Sequence, residues 1–104
     1  MSDALTAETK KLPAASLGGP GRPDPARCSL AAIETLTAVA GSDMALTQIQ
    51  LDVSSRALGQ GDVHVCAKVD KRTRSIVFAS VEALLGKEMV FRAQALFSRK
   101  HDQT

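Results

Sequence analysis

The chain of 104 residues has no tryptophan, no tyrosine and only three phenylalanines. That leaves few rings on which unpaired bases could stack, and the net charge of +2, from 13 Lys plus Arg against 11 Asp plus Glu, is too small for general polyanion binding. Nucleic acid is therefore not an expected partner. Cysteine is scarce as well. Cys28 and Cys66 form no CxxC pair, and only His64 and His101 could join them, so neither a metal site nor a disulfide framework is expected. Long apolar runs are also missing, well short of the roughly 18 residues a membrane helix needs. The first dozen residues carry Asp3, Glu8, Lys10 and Lys11 and no apolar leader core. The expectation is a cytoplasmic protein without a membrane span.

What is present suits one small globular domain. Apolar residues make up 44% and charged residues 23%, which argues against wholesale disorder. A chain this short buries a modest share of its surface, so self-association would help it. Residues 1–23 hold Pro13, Pro20 and Pro23 with Gly18, Gly19 and Gly21 and show no apolar period. They read as a flexible N-terminal tail with at most a helical turn near Leu5 to Leu12, and residues 24–104 as the folded domain.

Asp24-Pro25 offers an N-cap followed by proline at the first helical position, and Gly41 offers a stop, so a helix is expected from Pro25 to Ala40. Leu30, Ile33, Leu36 and Val39 with five alanines make it apolar nearly all round, the pattern of an enclosed helix. After Gly41 the period becomes two. Residues 46–54 alternate Ile49, Leu51 and Val53 with Gln48, Gln50 and Asp52, and residues 63–70 alternate Val63, Val65, Ala67 and Val69 with His64, Cys66 and Lys68. Residues 73–85 are apolar on both sides in the middle, as in a central strand, and residues 87–99 form its hairpin partner across Gly86. The architecture expected is α+β, an antiparallel sheet wrapped around one central helix.

The stretch "VHVCAKVDKRTRSIVFASVEALLGKEMVFRAQALFSR", together with the helix "AAIETLTAVAG" and the Gly61-Asp62 turn before it, resembles the hot-dog fold of the acyl-CoA thioesterase superfamily, in particular its PaaI-like branch. The resemblance covers roughly residues 22–99. It implies a dimer or tetramer in which two sheets join edge to edge, with the acyl thioester in a tunnel at the interface. It also implies a carboxylate on the central helix that activates water or attacks the thioester, and helix-start amides that polarise its carbonyl. By position the carboxylate falls on Glu34, and the amides fall on Ala26, Arg27 and Cys28. Two features of the family lack counterparts: the His-Gly-Gly that opens the helix would fall near Pro25-Ala26-Arg27, and no first strand is evident before the helix.

Glu34 also stands out on its own, as the only charged residue from Cys28 to Ser42. Burial would raise its pKa toward the range of a general base; the alternative is a pairing with Arg27, seven residues earlier. Cys28 has no nearby histidine in sequence to act as its base and reads as a packed thiol, while His64 reads as solvated. Lys71, Arg72 and Arg74, with Lys68, put four cations at one hairpin; the resemblance gives them the phosphates of coenzyme A, and the alternative is a solvated turn. The expected activity is hydrolysis of an acyl-CoA or related thioester, with coenzyme A as part of the substrate and no separate cofactor. Its rivals are a non-catalytic acyl- or CoA-binding module and an oligomerisation domain.

Overall fold

The computed structural model describes residues 7–100. Strand β1, Ala7–Pro13, runs into a single 3-10 turn at Ala14–Leu17. Helix α1, Pro25–Ala40, follows, and then four strands: β2, Met44–Val53; β3, Asp62–Arg72; β4, Ile76–Leu85; and β5, Glu88–Arg99. The strands form one sheet in the order β1-β3-β4-β5-β2, antiparallel at every pairing. β4 is the central strand, as its two-sided apolar character predicts.

Helix α1 begins and ends where its signals stand. The Asp24 carboxylate accepts from the Ala26 N–H at 3.1 Å, Pro25 occupies the first position, and Gly41 closes the helix at φ 104, a conformation that favours glycine. Cys28, Ala31, Ala32, Thr35, Leu36, Val39 and Ala40 face the sheet and are buried. The helix is not enclosed on all sides, however. Arg27, Leu30, Glu34 and Thr37 are exposed along its outer face, Leu30 at 59% of its surface. The apolar residues outnumber the positions that one sheet face can cover, so the surplus stays open within a single chain.

The sheet's inner face explains how the helix seats. Ala67 of β3, Ala79 and Ala83 of β4, and Ala93 and Ala95 of β5 are small and buried, which lets the helix backbone approach; Phe91 and Phe97 of β5 fill the space toward the two ends of the strand. The Thr35 hydroxyl, buried in this layer, donates to the Ala31 carbonyl at 2.7 Å and so leaves no polar atom unmet.

The N-terminal segment departs from expectation. Residues 7–13, read as part of a tail or a helical turn, form a strand that pairs with β3 from Ala7↔Lys68 to Pro13↔Asp62, so the N-terminal strand of the fold is present. Residues 1–6 of the expected tail, and His101 with the last residues of the chain, lie outside the described residues. The glycines and prolines of residues 18–23 serve tight packing instead of mobility. Gly18 has φ 114, and a Cβ there would meet the Asp24 nitrogen at 2.8 Å; the Asp24 N–H in turn donates to the Leu17 carbonyl at 2.8 Å. Leu58 closes the same region by donating its N–H to the Gly21 carbonyl at 2.6 Å. Among the described residues no helix is long and apolar enough to cross a membrane.

Candidate functional site

Glu34 lies midway along the outer face of α1. Its side chain is 60% exposed within one chain, so the burial expected from the helix's composition does not occur there. Its ionic partner is Lys10 of β1, Nζ to Oε1 at 3.8 Å, and not Arg27. Arg27 is engaged elsewhere: it pairs with Asp24 at 3.5 Å and donates to the Ala15 carbonyl at 3.4 Å. Lys10 reaches Glu34 because β1 turns Glu8, Lys10 and Leu12 toward the helix side of the sheet, the side shared by Val63, Val65 and Ala67 on the neighbouring strand.

The start of α1 offers fewer donors than its geometry suggests. Pro25 has no N–H. The Ala26 N–H is taken by the Asp24 carboxylate, and the Cys28 N–H by the Asp24 carbonyl at 2.9 Å. Of the three expected amides, only that of Arg27 has no hydrogen-bond partner among the described residues. A carbonyl arriving here meets one open amide and, beside it, the negative charge of Asp24. Cys28 itself is fully buried, and its thiol is pushed up from 9.0 to about 11 by loss of water and by the Asp24 charge. That suits the packed thiol expected from the sequence and removes it as a nucleophile at neutral pH.

The four hairpin cations separate. Arg72 donates to the Val39 and Ala40 carbonyls, at 3.1 and 3.2 Å, and so closes the C-terminal end of α1. Lys68 pairs with Asp70 at 3.9 Å on the sheet face away from the helix. Lys71 and Arg74 are exposed. Since the 16-residue helix spans about 24 Å, Arg72 stands at the opposite end of it from Ala26, Arg27 and Cys28. Within one chain the expected phosphate contacts and the expected oxyanion donors are therefore not adjacent; Glu34 lies between them. His64 is exposed on β3, away from Glu34 on the sheet's outer face.

A concavity of about 740 Å³ crosses the outer face of the sheet. Its floor holds a row in cross-strand register, Thr9, Cys66, Glu82, Arg92 and Asp52, one residue from each strand. Arg92 and Asp52 neutralise one another at 3.8 Å. No histidine lines this groove, and the exposed Cys66 faces Glu82 across the strands, a carboxylate that would oppose a thiolate. The helix face, where a carboxylate, a cation and an apolar side chain lie together, is the better candidate. Among the described residues no group of histidine, cysteine and carboxylate side chains could hold a metal ion. Lys10 is the site residue that sequence reasoning missed. Its only signal was a three-residue alternation, Glu8, Lys10, Leu12, in which two members are charged.

Neither a family model nor a curated protein matches the sequence. Solved structures do match the fold. Thioesterase superfamily member 2 from zebra fish superposes with a TM-score of 0.77 at 13% identity, over 96% of this chain and 79% of that one. The PaaI protein of the E. coli phenylacetic acid degradation operon gives 0.72 at 12% identity, over 91% and 72%. A conserved protein from Pseudomonas aeruginosa gives 0.74 at 18% identity, over 93% and 83%. One helix on a five-stranded antiparallel sheet in the order β1-β3-β4-β5-β2, shared with these structures along nearly its whole described length, gives this chain the hot-dog fold, with PaaI-like proteins among its structural neighbours.

Proposed function

We propose that the protein hydrolyses an acyl thioester of coenzyme A on the outer face of α1, at a site completed by a second copy of the chain. The observation that carries this reading is Glu34: the one carboxylate of a mostly apolar helix, exposed to water, next to a cation, at the position where the hot-dog thioesterases resembled by the sequence place theirs. Leu30, one turn before it, gives an acyl chain an apolar surface.

In this mechanism Glu34 is the general base. It takes a proton from water as the oxygen adds to the thioester carbonyl carbon, and the carbonyl oxygen becomes an oxyanion facing the Arg27 N–H. The intermediate then collapses, the carbon–sulfur bond breaks, and the leaving thiolate recovers the proton from Glu34. The products are the carboxylic acid and free coenzyme A. Lys71 and Arg74 supply cations for the phosphates, with Arg72 anchoring their hairpin to the helix end. Because these cations and the Arg27 amide lie toward opposite ends of one helix, the reading gives the second copy a wall of the substrate tunnel. A cytoplasmic setting belongs to the same reading.

The test is thiol release from short-chain, long-chain and aromatic acyl-CoAs, with wild type and Glu34→Gln compared at matched oligomeric state. The expected outcome is a fall of about 100-fold or more in the variant, the scale of a lost general base. Equal rates from the two proteins would overturn the role of Glu34. A second reading, acyl-CoA binding without turnover, is favoured by one observation, the capture of two helix-start amides by Asp24. Saturable acyl-CoA binding by a wild type that releases no thiol would establish it in place of hydrolysis.

A further inference from the structure

We propose that Lys10 of β1 is a positioning residue for Glu34, so that the edge strand forms part of the reaction site and not only part of the sheet. The inference rests on the thioesterase reading and adds to it a residue that lies outside the helix and the hairpin.

Three observations carry it. First, Lys10 occupies an inward position of β1, opposite Val65, where an apolar residue would ordinarily pack; the side chain is 32% exposed and its ammonium lies 3.8 Å from Glu34 Oε1. A charge on the helix side of a sheet is costly to keep there without a partner, and Glu34 is that partner. Second, Arg27, the other cation near this helix face, is held by Asp24 and by the Ala15 carbonyl, so Lys10 is the cation left for Glu34. Third, a glutamate has three side-chain torsions, and an exposed one samples many directions; a charge contact from a neighbouring strand narrows that range to the side of the helix facing β1. The contact is weak in water and strengthens as substrate or a second copy excludes solvent, when orientation of the base matters most. The other charged groups on this side are Glu8, two residues before Lys10 on the same strand face, and Asp24 with Arg27 at the helix start.

A purely structural explanation also exists. Inward-pointing charges on edge strands discourage edge-to-edge aggregation. That explanation predicts an effect of Lys10 on assembly and none on turnover, which makes the two separable.

The experiment uses the full chain and an acyl-CoA that the wild type hydrolyses. Steady-state kinetics are measured for Lys10→Met, Lys10→Gln, Lys10→Arg, Glu34→Gln and the double variant Lys10→Met/Glu34→Gln, each checked for melting temperature and oligomeric state. The expected result is a kcat lowered about tenfold in Lys10→Met and Lys10→Gln with KM changed less than about twofold, substantial recovery in Lys10→Arg, and a double variant no slower than Glu34→Gln alone. If Lys10→Met does not fold, Lys10→Gln, which is one atom shorter but keeps a polar, uncharged end, carries the comparison. An unchanged kcat in the neutral variants alongside an inactive Glu34→Gln would overturn the Lys10 assignment alone. Full activity in Glu34→Gln, or no turnover by the wild type, would overturn the thioesterase reading and this assignment with it.

Discussion

Cys28 and Cys66 show how far neighbours decide the chemistry of one side chain. A cysteine in the first turn of a helix ordinarily becomes more acidic, because the helix's positive end favours the thiolate. Cys28 goes the other way. It is buried, and the Asp24 charge adds to the penalty, so its thiol rises to about 11, whereas Cys66 on the outer sheet face is open to solvent. A disulfide-exchange reagent at pH 8 is therefore expected to titrate one thiol quickly in the native protein and the second only after unfolding. Replacing Cys66 with serine should abolish the fast phase. The sign of the pH dependence follows from the same shift. Below the ordinary value of 9.0 both states carry the proton and Cys28 adds nothing to the pH dependence; between 9.0 and about 11 the unfolded state loses its proton first, so this residue makes stability fall as pH rises. Melting curves of wild type and Cys28→Ala across that interval check it, the wild type being expected to lose more. Glu34 was legible in the sequence because it is the only charge between Cys28 and Ser42, in a mostly apolar stretch. Its exposure and its partner were not, since both depend on which part of the helix the sheet covers.

Elements differ in how much of their reason for existing is local. Helix α1 carries its own cap, its proline and its terminal glycine, β2, β3 and β5 carry a period of two and β4 a run apolar on both sides, so their places along the chain could be read directly. β1 could not be read this way. Its inward positions are Glu8, Lys10 and Leu12, and a strand with two charges on the covered side has no hydrophobic alternation to show. Its ladder with β3 supplies what its side chains do not, and pairing of that kind is invisible until the partner strand is placed. The Gly- and Pro-rich stretch after it was misleading for the complementary reason, since the residues that favour disorder are also those needed for close turns, as at Gly18. Arg72 belongs to this level too. It bridges the last carbonyls of α1, so Arg72→Met should destabilise the protein by about 1 kcal/mol, lowering Tm by roughly 4–8 °C. Arg72→Lys should recover only part of this, because one ammonium cannot reproduce the guanidinium's two-carbonyl fork. Thermal unfolding followed by circular dichroism is the measurement; an unchanged Tm in Arg72→Met would show that the cap is dispensable.

In the molecule as a whole, one sheet covers one side of one helix, and that leaves a specific deficit. Leu30 is exposed on the helix's outer face, and β2 is an edge strand whose Ile49, Leu51 and Val53 are only half-covered. β1, the other edge, is blunted by Glu8, Lys10 and Pro13; β2 has no such protection on its inner side, which makes it the edge better suited to a second copy. The dimer proposed above is thus expected to appear in light scattering at about twice the 11.0 kDa chain mass, and Leu30→Lys, at a position that one chain leaves open, should weaken association by about tenfold or more while leaving the monomer folded. A monomer at every concentration, or a dimer indifferent to Leu30→Lys, would refute the arrangement. The sequence by itself determined the class of fold, the limits of the helix, the four strands after it and the isolation of Glu34, because each rests on local period, capping or a lone charge. Only the tertiary structure decided that residues 7–13 complete the sheet, that Lys10 meets Glu34 and that Arg72 closes the helix. These depend on strand pairing and on contacts between residues far apart in the chain, whose geometry no local pattern encodes.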